Sequence, residues 1–323
     1  MFRGWFPAAV VLGATVRLAA LPLPGTHDVV VWKIWSYVAS HEGVSRMYGV
    51  GGSPPERRIL VFRGAETTVD YPPIALAELG AAGRVYRWIT HNRYPDGTPL
   101  IVTLKAASVL ADAAFVLLLY FGVRRIGGRA VARWATTAYC LNPAVILDGS
   151  MLGYLDPLFI LPAGGSLVAA ALDAPAAAGA LAATAVLTKP QAVVLLPALA
   201  LAIWNGRPAA RGSSARVARA GAGAAAVTII AVGPVVAAGA WANMLLALSR
   251  LGHHDMLSGN ACNLWWIVGY LLRAYYSMHD MGIWAAFTAP TRILAISRFV
   301  EIGYPNPRPI GIVLASGAMI WGI

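Results

Sequence analysis

Acidic side chains at the ends of predicted helices are the first candidates for chemistry in this sequence. Asp28 directly follows the first apolar segment and precedes Val29–His41, where aromatic and aliphatic residues recur at helical spacing. Asp70 opens the tetrapeptide Asp70–Pro73, whose two prolines suit the entry to another helix. A carboxylate in such a place can take a proton as a general base. It can equally cap a helix, since Asp is a favoured N-cap residue, and the two roles are compatible.

Two further carboxylates and one lysine follow in the middle of the chain. Asp148 and Asp156 are eight residues apart, so they could bind a polar ligand together or cap two helix ends. Lys189 precedes Pro190, where the sequence predicts a break between two short helices. An ammonium group at such a break can hold a phosphate, and a hinge with a snorkelling lysine explains the pattern equally well.

The last polar group lies at residues 253–265. His253 and His254 are adjacent, which makes them poor partners for one metal ion, and no third ligand has suitable spacing. The sequence therefore predicts no metal site. Asn260 and Asn263 could bind a sugar or a phosphate, whereas aromatic residues such as Trp265 are also typical of an interfacial belt.

The composition defines the kind of protein that must position these groups. Only 12% of the 323 residues are charged and 58% are hydrophobic, whereas a soluble domain carries about 25% charged residues. This excludes a soluble enzyme, a disordered tail and a nucleic-acid-binding module. The apolar residues fall in blocks close to the length that spans a bilayer, so the sequence predicts a polytopic membrane protein. The net charge of +11 then reflects basic cytoplasmic turns.

The distribution of arginine predicts which side each segment faces. The apolar segments are 5–23, 100–121, 131–147, 155–172, 175–188, 190–204, 217–240, 263–277 and 309–323. Two strongly basic turns, 124–133 and 207–219, are expected in the cytoplasm. Residues 24–99 then form a large outer loop with two interfacial helices, Val29–His41 and Pro72–Ile89. Every polar group named above falls on the outer side under this topology.

Charged residues within the apolar segments are expected to be structural. Arg17, near the far end of the first segment, is expected to snorkel to the interface. Lys105 and Asp112 are expected to form bundle-facing pairs or to snorkel.

Several blocks resemble a known enzyme family in their order along the chain. An aspartate soon after the first span, seven residues before Trp35, is followed by Asp-Tyr-Pro-Pro at 70–73. The later blocks are Leu104–Asp112, Asn142–Asp148, Lys189 and Gln191 around Pro190, and Asn260–Trp265. The ordered set resembles the GT-C glycosyltransferases, and above all the eukaryotic ER glucosyltransferases that extend the dolichol-linked oligosaccharide.

The resemblance implies an all-α fold, namely a polytopic transmembrane helical bundle of the GT-C type, as one domain over 1–323. It also implies an inverting enzyme of the cell membrane, with an extracytoplasmic site. The donor would be a hexose on a polyprenyl phosphate, and the acceptor a glycan or lipid-linked molecule. The lipid bilayer is expected to surround it, no cofactor or nucleic-acid partner is expected, and no metal-binding residue is assigned. Asp28 matches the family's catalytic base. The expected substrate-binding residues are Trp35, Asp70, Tyr71, Asp148, Asp156, Lys189, Gln191, His253, His254, Asn260, Asn263 and Trp265.

The chain also departs from the family, and other functions remain open. A histidine-containing run of the family appears at 148–156 without histidines, and a later segment associated with the donor phosphate has no counterpart before Ile323. Residues 1–323 are therefore expected to lack part of the donor site. A transporter or flippase of lipid-linked saccharides is the alternative, although such proteins tend to have repeated halves and none is visible here. A non-catalytic membrane scaffold would tolerate replacement of Asp28 and Asp70.

Overall fold

The computed structural model describes residues 4–49, 57–205, 212–249, 267–268, 271, 296–301 and 303–321. The chain divides into two compact units, Met1–Ser249 and Arg250–Ile323. The described residues are mostly helical, as the sequence predicts. A single domain over 1–323 stays a prediction.

The elements of the first unit are, in chain order, α1 Trp5–Ala20, α2 Asp28–Glu42, α3 Val44–Met47, β1 Ile59–Phe62, β2 Ala65–Thr68, α4 Pro73–Ile89, α5 Thr98–Cys140, α6 Pro143–Ile146, a π-helix Leu147–Leu152, α7 Asp156–Ala171, α8 Pro175–Thr188, a 3₁₀-helix Pro190–Leu195, α9 Leu196–Trp204, α10 Ser213–Ala237 and α11 Trp241–Ser249. In the second unit, the described helices are α12 Ile296–Glu301 and α13 Pro307–Trp321.

Two helices, α5 and α10, are long and apolar enough to cross a membrane. Shorter apolar helices accompany them in the part of the chain that the structure describes. The predicted segments 100–121 and 131–147 share α5, whose helical geometry is interrupted at Gly128 with φ 85° and ψ 174°. Glycine adopts such an angle at no steric cost, and the break coincides with the predicted basic turn at 124–133.

The region between α1 and α5 contributes to a hydrophobic core that also includes residues of α5, α7, α10 and α11. α2 and α4 are the two helices predicted there, and they pack against each other. Gly83 permits this close approach, since a Cβ atom at Gly83 would lie 2.4 Å from the backbone oxygen of Ser36. The buried face of α2, which includes Ile34 and Trp35, is therefore covered by protein.

An antiparallel hairpin, β1–β2, is the one sheet within the described residues, and the all-α prediction missed it. Phe62 pairs with Ala65 across a two-residue turn in which Arg63 and Gly64 both have positive φ angles. Such a turn matches the twist of paired strands. The surrounding residues are rich in glycine, proline and charge. Two strands of only four residues each are therefore difficult to recognise in this part of the sequence.

A buried ion pair joins α1 to α5. Arg17, only 5% exposed, donates to the carboxylate of Asp112 and to the carbonyl oxygens of Gly13 and Cys140. The Tyr139 hydroxyl donates to the same carboxylate. The expectation that Arg17 snorkels to the interface was wrong, because its guanidinium finds an anion and two carbonyl groups inside the bundle. The expectation of a bundle-facing pair at Asp112 is confirmed.

Candidate functional site

Side chains from three separate segments lie close together in the first unit. Asp28 is the first residue of α2, Asp156 is the first residue of α7, and Lys189 immediately follows α8. Lys189 forms a salt bridge with Asp156, and both groups act electrostatically on the Asp28 carboxylate. Asp148, in the π-helix, lies within hydrogen-bonding range of the Asp156 carboxyl group. The structure thus brings together four residues that the sequence singled out.

The start of α2 is fixed against the turn that follows the π-helix. The backbone N–H of Thr26 donates to the carbonyl oxygen of Leu152 at 2.9 Å, and the indole Nε1 of Trp32 donates to that of Gly153 at 2.9 Å. Gly25, with φ 80°, permits this approach, because a Cβ atom there would lie 2.7 Å from the Leu152 oxygen. These contacts determine the position of Asp28 relative to Asp148 and Asp156.

A buried lysine completes the same junction. Lys105 on α5 is 2% exposed, and its Nζ donates to the carbonyl oxygens of Leu23 at 2.6 Å and Met151 at 2.7 Å. Its aliphatic stem approaches Gly153, where a Cβ atom would lie 2.9 Å from the lysine Cε. Lys105 therefore bridges the end of α1 and the π-helix. This is the structural role expected for it, although its partners are carbonyl groups.

The sequence around Asp148, Asp156 and Lys189 explains their local geometry. The carbonyl oxygen of Asp148 accepts the N–H groups of Gly153 and Tyr154, both at 3.1 Å, which closes the turn before α7. A carboxylate at the first position of α7 is favoured by the helix dipole. The predicted break at Pro190 is confirmed, since α8 ends there and a 3₁₀-helix begins. The Lys189 ammonium also lies 5.6 Å from the centre of the Phe159 ring.

Burial is the main influence on the pKa values of Asp28 and Asp148. Desolvation raises the pKa of Asp28, while the positive fields of His27 and Lys189 oppose the rise. The pKa of Asp148 is also raised, chiefly by desolvation and then by the adjacent Asp156. Burial keeps the phenol of Tyr154 protonated by raising its pKa, and the Asp28 charge adds to this.

Tyr71 joins this cluster, with Trp35 behind it. Burial raises the pKa of Tyr71, and the charges of Asp156, Asp70 and Asp28 add to the rise. The Tyr71 ring packs against Trp32 and Trp35, with ring centres 5.5 Å and 5.3 Å away. Trp35 is 1% exposed, so it supports Tyr71 from inside the core. α4 begins at Pro73, which confirms Asp70–Pro73 as a helix entry.

The structure gives little support to the interpretation of Asp28 as a helix cap. The N-cap residue of α2 is His27, and no side-chain capping hydrogen bond is formed there. At the start of α6, by contrast, the side chain of the N-cap residue Asn142 accepts the Ala144 N–H at 2.9 Å. Asp28 is thus the first helical residue, half-buried and within the field of Lys189.

The remaining predicted residues lie apart from the cluster or outside the described residues. Gln191 is exposed on the 3₁₀-helix. His253, His254, Asn260, Asn263 and Trp265 all lie outside the described residues. Among the residues that the structure does describe, no group of three histidine, cysteine or carboxylate side chains could hold a metal ion.

Sequence reasoning did not select the residues that position the cluster. Thr26 and Trp32 act through contacts with residues more than 120 positions later, and Tyr154 lies in the fields of Asp28, Asp148 and Asp156. The signal that could have identified Thr26 and Tyr154 is that each lies two residues before a selected carboxylate, Asp28 or Asp156. No family model matches the chain, and a search of curated proteins also found no match.

Proposed function

We propose that this chain is a polytopic glycosyltransferase of the cell membrane, of the GT-C type, with its site on the extracytoplasmic side. It moves a hexose from a polyprenyl phosphate to a glycan or lipid-linked acceptor, with inversion. The observation that carries the proposal is the meeting of one half-buried carboxylate, Asp28, with the Lys189–Asp156 pair. The family resemblance and the apolar composition support it.

The arrangement of charge along the helices supports the orientation. α7 begins and α8 ends at the carboxylate cluster, so the turn between them lies at the other end of both helices. Arg216, at the start of α10, lies 4.0 Å from Asp173 in that turn. It also donates to the carbonyl oxygens of Ile203 and Trp204 at the end of α9. Arg216 and the carboxylate cluster therefore lie at opposite ends of these helices, so an arginine end that faces the cytoplasm would leave the cluster on the outer side.

The chemistry needs one base and one electrostatic stabiliser. In a single displacement, the acceptor hydroxyl gives its proton to the Asp28 carboxylate while its oxygen attacks the anomeric carbon. The bond from that carbon to the phosphate oxygen breaks, and the lipid phosphate leaves with the electron pair. An ammonium group with three donors can bind Asp156 and still stabilise this anion, which is the role we assign to Lys189.

A transfer assay with the full chain tests the proposal. Membranes containing the protein are incubated with radiolabelled polyprenyl-phosphate glucose or mannose, and label in a new glycan or glycolipid is measured together with released polyprenyl phosphate. Transfer by the wild type and its loss in Asp28→Asn are expected. Asp96→Asn, which alters an exposed carboxylate paired with Lys33, is the control. Movement of intact donor across the membrane without cleavage would indicate the transporter instead.

A further inference from the structure

Two carboxyl groups share one cation in the candidate site. Asp156 forms the salt bridge with Lys189, and Asp148 lies within hydrogen-bonding range of the same Asp156 carboxyl group. Two ionised carboxylates within hydrogen-bonding range of each other repel strongly, and such pairs hold a single proton between them. The geometry therefore requires a proton on one of the two.

The salt bridge indicates which group carries the proton. Asp156 forms the salt bridge with Lys189 and lies at the first position of α7, close to the positive end of the helix dipole. Asp148 faces the negative groups Asp156 and Asp112 and has Lys189 only at longer range. Asp112 itself is neutralised by Arg17. The proton therefore resides on Asp148, which then donates to Asp156.

We propose that Asp148 is a positioning residue that works as a neutral hydrogen-bond donor, holding the Asp156 carboxylate on Lys189 and thereby fixing the ammonium beside Asp28. This inference rests on the proposed function for its effect on sugar transfer. The protonated state of Asp148 itself can be tested without it. Burial raises the pKa of Asp148, in the direction that this role needs.

Ionisation of Asp148 then sets an alkaline limit on the reaction. Above the pKa of Asp148, two adjacent negative charges compete for Lys189, and the ammonium is drawn away from the departing phosphate. The fraction of working enzyme should fall about tenfold for each pH unit beyond that point. Asparagine can donate the same hydrogen bond at every pH, because its amide carries two N–H groups.

The experiment compares Asp148→Asn, Asp148→Leu and the control Asp96→Asn in the full chain. Asp148→Asn should keep transfer within about threefold of the wild type at neutral pH and should lose the alkaline limb. Asp148→Leu should lose at least about tenfold at all pH values. Asp96→Asn should follow the wild-type profile. Loss of transfer in Asp148→Asn with normal protein levels would show that the carboxylate is required, and would overturn the proposal.

A second measurement separates this inference from the proposed function. A group whose pKa is raised in the folded state contributes stability at low pH and loses it as pH rises through the folded-state pKa. Because the pKa of Asp148 is raised from 3.8 to about 7, the melting temperature of the purified wild type should fall relative to Asp148→Asn between about pH 4 and about pH 7, and the difference should be level above that. A constant difference would overturn the proton on Asp148. Absence of transfer by the wild type at any pH would instead overturn the glycosyltransferase, and the melting data would still decide the state of Asp148.

Discussion

At the scale of single residues, the site depends on how a few charges are balanced. Three carboxyl groups, Asp28, Asp148 and Asp156, lie within the electrostatic field of the Lys189 ammonium. With the proposed proton on Asp148 donated to Asp156, Asp28 is the carboxylate that is not held by a hydrogen bond from Asp148, Asp156 or Lys189. That is the state in which a carboxylate can accept a proton from a substrate hydroxyl.

Replacement of Asp28 by asparagine should remove catalysis and spare the fold. Asparagine keeps the size of the side chain, and a lost base costs roughly 100-fold to 10,000-fold in rate. The raised pKa of Asp28 means that wild-type transfer should also fall as the medium is acidified, because the base is protonated as pH drops through that pKa. Transfer rate against pH, with membrane levels as control, measures both effects. Near-wild-type transfer by Asp28→Asn would reject the base.

The positive charge of Lys189 should be essential for sugar transfer. Lys189→Met leaves Asp156 without its cation and the leaving phosphate without a donor, so the rate should fall by roughly 100-fold to 1,000-fold. Lys189→Arg keeps the charge and should restore part of this loss. The matched control is Lys33→Met, since Lys33 pairs with the exposed Asp96 away from the cluster. Equal activity of the two methionine variants would exclude a role for Lys189 in the chemistry.

Sequence reasoning found the charged members of the cluster but not how they pair. Acidic residues at helix ends are visible because polar groups are rare in this chain, which is why Asp28, Asp148 and Asp156 stood out. The salt bridge to Lys189 spans 33 residues, and the Trp32 contact with Gly153 spans 121. Local spacing carries no information on such contacts, since they depend on how the helices pack.

At the scale of secondary structure, the apolar segments predicted the helices well and the connections between them poorly. The bounds of α7, α8 and α10 lie within a few residues of the predicted segments. The π-helix at Leu147–Leu152 and the β1–β2 hairpin were missed, because both are short and lie in segments with mixed polarity.

The close packing of α2 on α4 should be sensitive to a single methyl group. A Cβ atom at Gly83 would lie 2.4 Å from the backbone oxygen of Ser36, and backbone atoms cannot move away as a flexible side chain can. Gly83→Ala should therefore lower the free energy of unfolding by about 1–3 kcal/mol. Gly221→Ala is the control, since a Cβ atom there meets nothing within 4 Å. Thermal unfolding in detergent measures both variants, and equal melting temperatures would contradict the packing.

At the scale of the whole molecule, the acidic cluster and Arg216 lie at opposite ends of α7. The acidic cluster lies where α7 begins, and Arg216 contacts the turn after α7 and the end of α9. Asp28 and its neighbours follow α1 directly, and the basic turn at 124–133 interrupts α5 at Gly128. In a membrane, this separation would leave the site accessible from the side opposite the arginines.

Cysteine accessibility tests this orientation in intact cells. With Cys140 and Cys262 replaced by alanine, a single cysteine at Glu66, exposed on β2, should react with an impermeant thiol reagent. A single cysteine at Ser214, exposed at the start of α10, should react only after the membrane is permeabilised. Both positions are solvent-accessible in the fold, so a difference between them reports the side of the membrane. Labelling at Ser214 with protection at Glu66 would place Asp28 and Lys189 in the cytoplasm, and an extracytoplasmic transferase would then be excluded.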